Sequence, residues 1–129
     1  MKAYTDLEQS KKLAGILPLK SADMWWVALN WQETEHYVEV KQDEFSQPKK
    51  AIPCWSLAAL LQILPLNIYD ELYGYDFELE INMIDKMPRY IRLGDIYHSH
   101  FPYNFEKDTL LDNVVESIIW LNNNNYFEL

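Results

Sequence analysis

The sequence predicts an α+β protein: an antiparallel sheet of about four strands, with three helices packed mainly on one face. Three observations predict it. Apolar periodicity runs helix, hairpin, helix, hairpin, helix along the chain, not the strand–helix alternation of a parallel sheet. Tyr75–Met83 alternates cleanly: Phe77, Leu79, Ile81 and Met83 interleave with Asp76, Glu78, Glu80 and Asn82. Leu110–Leu121 carries apolar doublets every four residues, the stripe of an amphipathic helix. A chain of 129 residues fits one domain spanning residues 1–129. It should bury about two-thirds of its unfolded surface without disulfide or metal staples.

The elements follow in order. Thr5-Asp-Leu-Glu8 reads as a capping box that opens a helix; Leu7, Leu13, Ala14, Ile16 and Leu17 form its stripe, and Pro18 stops it. Met24–Trp31 reads as a strand with Trp25, Val27, Leu29 and Trp31 on one face. A polar turn leads back into Tyr37–Lys41, which completes a hairpin. Gln42–Lys50 has no period and reads as a loop. Pro53 biases Ile52 toward extended backbone, Ser56 is a good N-cap, and Leu57, Leu60, Leu61 and Leu64 fall at helical spacing until Pro65. Asn67–Gly74 reads as a linker or turn. After the Tyr75–Met83 strand, Asp85–Pro88 turns and Arg89–Leu93 returns, which places Arg92 near Glu80 or Asn82 depending on register. The last helix starts at Asp108-Thr109, with Asp112 favourable in its first turn, and stops in Asn122–Asn125.

Charge narrows the function. Twenty acids against eleven bases give −9 and a pI near 4.6. Direct binding to nucleic-acid phosphate needs clustered Lys and Arg, and the pairs Lys11-Lys12 and Lys49-Lys50 are too small for it. A polybasic membrane anchor is equally unsupported. No apolar run reaches the roughly 18 residues of a membrane span, and the Met-Lys-Ala-Tyr-Thr start lacks a signal-peptide core. A single cysteine cannot close an internal disulfide, which suits a reducing compartment, the cytoplasm. No phosphate loop, dinucleotide fingerprint or zinc spacing occurs, and three glycines (15, 74, 94) build no phosphate cradle; no cofactor is implied.

Tyr4–Ala14 with Leu17-Pro-Leu19 and Ser21–Met24, Ile52–Leu61 with Ile63-Leu-Pro65, and Asp112–Leu121 together resemble uncharacterised small acidic proteins of gut bacteria and their prophages. The resemblance covers about half the chain, mainly its helices. It implies a bacterial or phage cytoplasmic setting. That family has no assigned activity, ligand or catalytic residue, so no functional residue is carried over.

Four groups merit weighing. Cys54 lies at the approach to a helix, where a thiol can be activated, but free cysteine is among the most buried residue types and a small core residue is the favoured reading. His98 and His100 could begin a metal site that Asp95 or a distant Glu would complete, but no third ligand stands at diagnostic spacing. Asp70, Glu71, Asp76, Glu78 and Glu80 form a run without a base, a solvated strand face that would also suit a basic partner. Aromatics make up 15%, more than one sheet face and three helices readily hide, so Trp26 and Tyr103 are candidate exposed contacts, and Glu78 and Glu80 of the acidic run are further interaction candidates. The reading is a small acidic protein-interaction module, linked to a phage or mobile element, that binds an unknown protein partner or itself as a homodimer. The alternatives are a small hydrolase or metal enzyme using Cys54 or His98/His100 and, more weakly, a DNA-mimic inhibitor.

Overall fold

The computed structural model describes residues 2–42, 47–48, 50–71, 74–92 and 107–127. The chain divides into two units, residues 1–63 and residues 64–128. The fold class is α+β as predicted. The described strands number six, in two three-stranded antiparallel sheets, where the sequence pattern predicts about four strands in one sheet.

In the first unit, helix α1 spans Leu7–Ala14. Its capping box uses Asp6 and Gln9, one residue later than Thr5 and Glu8: Gln9 N–H donates to Asp6 Oδ1 at 2.8 Å and Asp6 N–H to Gln9 Oε1 at 3.0 Å. The shift has a cause. Thr5 is fully buried, and its hydroxyl pairs with Ser10 Oγ at 2.7 Å and accepts from Trp55 N–H at 3.2 Å, so it cannot turn outward to cap. A short 3₁₀ turn at Leu19–Ser21 follows.

Strand β1 (Met24–Ala28) is central, between β2 (His36–Val40) and β3 (Ile52–Cys54). β1 stops three residues short of the predicted end. Asn30 exchanges side-chain bonds with Thr34, and Glu33 takes a positive φ of 59°, so the chain turns at once. Leu29 and Trp31 therefore leave the buried face that Trp25 and Val27 keep; Trp31 is 82% exposed. β3 escapes a periodicity search because three residues carry no period. Pro53 fits it for a specific reason. Lys41 N–H bonds Asp23 O, and Leu29 N–H bonds Glu35 O, so odd-numbered β1 residues serve β2 and even-numbered ones serve β3. Pro53 stands opposite Trp25 in a non-bonded pair, where a missing N–H costs nothing. Helix α2 (Leu57–Ile63) starts as expected, with Ser56 Oγ accepting from Ala59 N–H at 3.1 Å.

In the second unit, β5 (Tyr75–Asn82) lies between β4 (Asn67–Asp70) and β6 (Met87–Ile91). Phe77 is buried and Leu79 and Ile81 half-buried, while Asp76, Glu78 and Glu80 face water, as the alternation predicts. β4, predicted as linker, is again too short to show its period. Register sets Glu80 opposite Arg89 and Glu78 opposite Ile91; Arg92 lies beyond the paired residues and stacks over the Tyr75 ring, 3.3 Å from its centre. Met83 belongs to the turn, not the strand, and is exposed. Helix α3 (Leu110–Asn123) packs on β6 and buries Leu111, Val114, Val115, Ile118 and Leu121. Thr109 caps it through Asp112 N–H.

Candidate functional site

Cys54 closes β3 and is wholly buried. Its sulfur meets the carbonyl and the hydroxyl of Thr5, each at 3.5 Å. Burial pushes the thiol above its ordinary value of 9.0, the negative charge of Asp23 adds to the rise, and hydrogen bonds from Thr5 and Ser10 oppose it in part. This is the reverse of an activated thiol, which is exposed and held below that value. A raised folded-state value means the folded protein keeps its proton longer. The associated stability is therefore complete below the ordinary thiol value and is lost as pH climbs above it. Alkylation of Cys54 at pH 7 should run about a hundredfold slower in the folded protein than in denaturant. Timed mass-spectrometric labelling checks this, and equal rates would contradict the burial argument.

Beside that core, Lys20, Ala22, Asp23, Met24, Val40, Lys41 and Ser56 line an open groove of about 530 Å³. Its polar centre is already occupied. Asp23 accepts from Ser56 N–H at 2.8 Å and from Ser56 Oγ, and that same Oγ caps α2. With its proton committed to Asp23 and its lone pairs to a helix cap, Ser56 is placed to hold α2 against β1 rather than to attack a substrate.

His98, His100, Asp95 and Tyr103 lie outside the described residues. Among the described residues, no group of three or more His, Cys, Asp or Glu is placed to hold a metal, and no helix is long and apolar enough to cross a membrane. Trp26 is half-buried: its indole N–H donates to Thr5 O at 3.0 Å, and its ring meets Tyr4 edge-on at 6.0 Å. Trp31 is the far more exposed tryptophan.

Glu78 and Glu80 do belong to one exposed feature, on the second unit. Asp76, Glu78 and Glu80 project from the same face of β5, spaced about 7 Å apart by the strand repeat. Asp76 stands opposite Tyr69, which is 55% exposed, and Glu78 opposite Asn67. Glu80 stands opposite Arg89, whose guanidinium reaches Asp85 at 2.6 Å. No cation thus faces the first two carboxylates from β4. At the end of this row the chain turns through Met83–Lys86 with Met83 64% and Ile84 91% exposed. The turn is braced: Asn82 Oδ1 accepts from Ile84 N–H and Asp85 N–H, and Lys86 takes a positive φ of 54°. Buried Asn113 on α3 donates to Lys86 O at 2.6 Å.

The sequence carried a signal for this feature in its charge distribution. Residues 1–63 hold seven bases against eight acids; residues 64–129 hold four against twelve. Nearly all the net charge belongs to the half that carries the row. Ile84 left no such signal, because an apolar residue in a turn looks like the continuation of the strand before it. In comparisons with protein-family models, curated proteins and solved structures, nothing matches this chain.

Proposed function

We propose that the protein is a small interaction module that binds a basic protein partner through the Asp76–Glu78–Glu80 row, with Tyr69 beside it and Met83–Ile84 as an apolar anchor at its end. The observation that supports this most is the braced turn. A loop that holds Ile84 91% exposed spends order on an apolar side chain in water, and rigid apolar anchors rimmed by charge are where interfaces concentrate their energy. The row supplies steering for a positively charged surface, and its effect should weaken with salt. The bacterial or phage cytoplasmic setting implied by the resemblance belongs to the same proposal.

The buried, raised Cys54 thiol speaks against the hydrolase alternative at that residue. The row is too sparse to favour the DNA-mimic alternative: its three carboxylates stand about 7 Å apart, whereas duplex DNA carries a charge about every 1.7 Å of its axis.

Titration with a Lys/Arg-rich peptide, followed by backbone NMR, should shift residues 67–86, and the shifts should fade between low and high salt. Glu78→Lys with Glu80→Lys should weaken binding by at least about tenfold, while Ile84→Ser should weaken it without lowering the melting temperature. Shifts scattered over every acidic side chain, or unchanged affinity in these variants, would remove the proposal.

A further inference from the structure

The two edges of the first unit's sheet are not equivalent. On β3, Pro53 directs its missing N–H outward, and Trp55 O just beyond the strand already accepts from Thr5 N–H at 2.9 Å. That edge is blunted. β2 is different. Because odd-numbered residues exchange the ladder bonds with β1, His36, Val38 and Val40 aim their N–H and C=O groups away from it. Among the described residues, nothing else pairs with β2. It carries no proline, and Val40 and Tyr37 are 66% and 42% exposed.

We propose that two copies of this chain pair antiparallel through β2, about a two-fold axis at Val38, to form one continuous six-stranded sheet. The sequence His36-Tyr-Val-Glu-Val40 is self-complementary in that register. Val38 meets Val38 of the second copy and His36 meets its Val40, both in the hydrogen-bonded positions that the outward groups require. Tyr37 then faces Glu39 of the second copy. One step further out, Glu35 faces Lys41 of the second copy, an opposite-charge pair that occurs twice. No like charges oppose one another anywhere along the seam. Residues 1–63 are also close to neutral, with seven bases and eight acids, so the acidity of the chain does not set these edges against each other. A shift of two residues along the strand would lose the Glu35–Lys41 pairs; a shift of one would leave the outward groups without partners. Two five-residue strands bury little area, so the dimer is weak and reversible, in the micromolar range or above. This surface is separate from the row on β5, and neither proposal depends on the other.

Sedimentation velocity over a wide concentration range should show a monomer–dimer equilibrium. Val38→Pro removes a donor that the intramolecular ladder does not use, and should leave the protein monomeric at all concentrations tested, at least about a hundredfold weaker. Glu35→Lys puts like charges opposite each other at both pairs with Lys41 and should weaken the dimer about fivefold; adding Lys41→Glu should restore it. The swap carries the test should Val38→Pro fail to fold. A wild-type protein that stays monomeric would overturn the proposal. So would a dimer that Glu35→Lys leaves unchanged, or one that the Lys41→Glu partner change does not rescue.

Discussion

Trp55→Ala should destabilise the protein by about 3–5 kcal/mol, the range for deleting a fully buried large aromatic side chain, and lower the melting temperature by at least about 10 °C. Trp55 is 0% exposed, and its position ties four segments of the first unit together. Its backbone N–H donates to Thr5 Oγ, its carbonyl accepts from Thr5 N–H, and its indole N–H donates to Ser21 Oγ at 2.9 Å. It also sits between Cys54, the end of β3, and Ser56, the cap of α2. Truncation leaves a cavity and strands Ser21 Oγ without its indole donor, though Ser21 still donates to Pro18 O. Trp55→Phe separates the contributions. It keeps most of the apolar volume and loses the indole bond, so it should cost about 1–2 kcal/mol. Denaturant titration followed by far-UV circular dichroism measures both. Equal losses in the two variants would show that the hydrogen bond, not the filled volume, carries the effect. A loss below about 1 kcal/mol for Trp55→Ala would mean that this core is not packed as described.

The same residues explain how far the sequence could be read. Long periodic segments were legible. Tyr75–Asn82 and Leu110–Asn123 fall where alternation and apolar doublets place them, and Ser56 and Thr109 cap their helices as their chemistry suggests. What escaped was tertiary in origin. Thr5 is the better-looking cap by pattern, but burial against Ser10 and Trp55 claims its hydroxyl, and Asp6 caps instead. β3 and β4 hold three and four residues, too few for a period, and they exist because β1 and β5 each offer a second edge. Trp31 and Met83 continue an apolar alternation that the backbone abandons one or more residues earlier, at turns built by Asn30 and Asn82. Both of these asparagines are turn formers by type, so the signal was present but outweighed by the alternation beside it. The exposed row at Glu78 and Glu80 was legible as a wet strand face. Its apolar terminus at Ile84 was not, because nothing local distinguishes a side chain presented to water from one pointed inward.

Asn113→Ala should cost about 2–4 kcal/mol, an unusual loss for one polar residue on a helix. Asn113 is fully buried in α3, and its amide does three things at once. It donates to Lys86 O at 2.6 Å and to Lys107 O at 3.3 Å, and it accepts from Lys107 N–H at 3.1 Å. Alanine fits the helix better by propensity, by well under 1 kcal/mol, so intrinsic preference opposes the expected result and is outweighed. Three backbone groups lose their partner together; the loss stays moderate because Lys86 and Lys107 are themselves exposed and water recovers part of each bond. Asn113→Asp is the sharper variant. It retains the acceptor for Lys107 N–H but turns a buried donor into a carboxylate facing two carbonyl oxygens, and should cost at least as much as alanine near neutral pH and less in acid, as the carboxyl takes up a proton and regains a donor. The consequence reaches the proposed interaction site. Lys86 ends the turn that presents Met83 and Ile84, and its carbonyl is the point where α3 holds that turn. At a temperature where Asn113→Ala remains folded, amide exchange at residues 83–86 should speed up while exchange in the middle of α3 changes little, and affinity for a basic peptide should fall although no contacting side chain has been altered. Uniform acceleration over residues 64–128 would assign Asn113 to global stability alone. An unchanged melting temperature would show that the braces at Asn82 hold the turn without it.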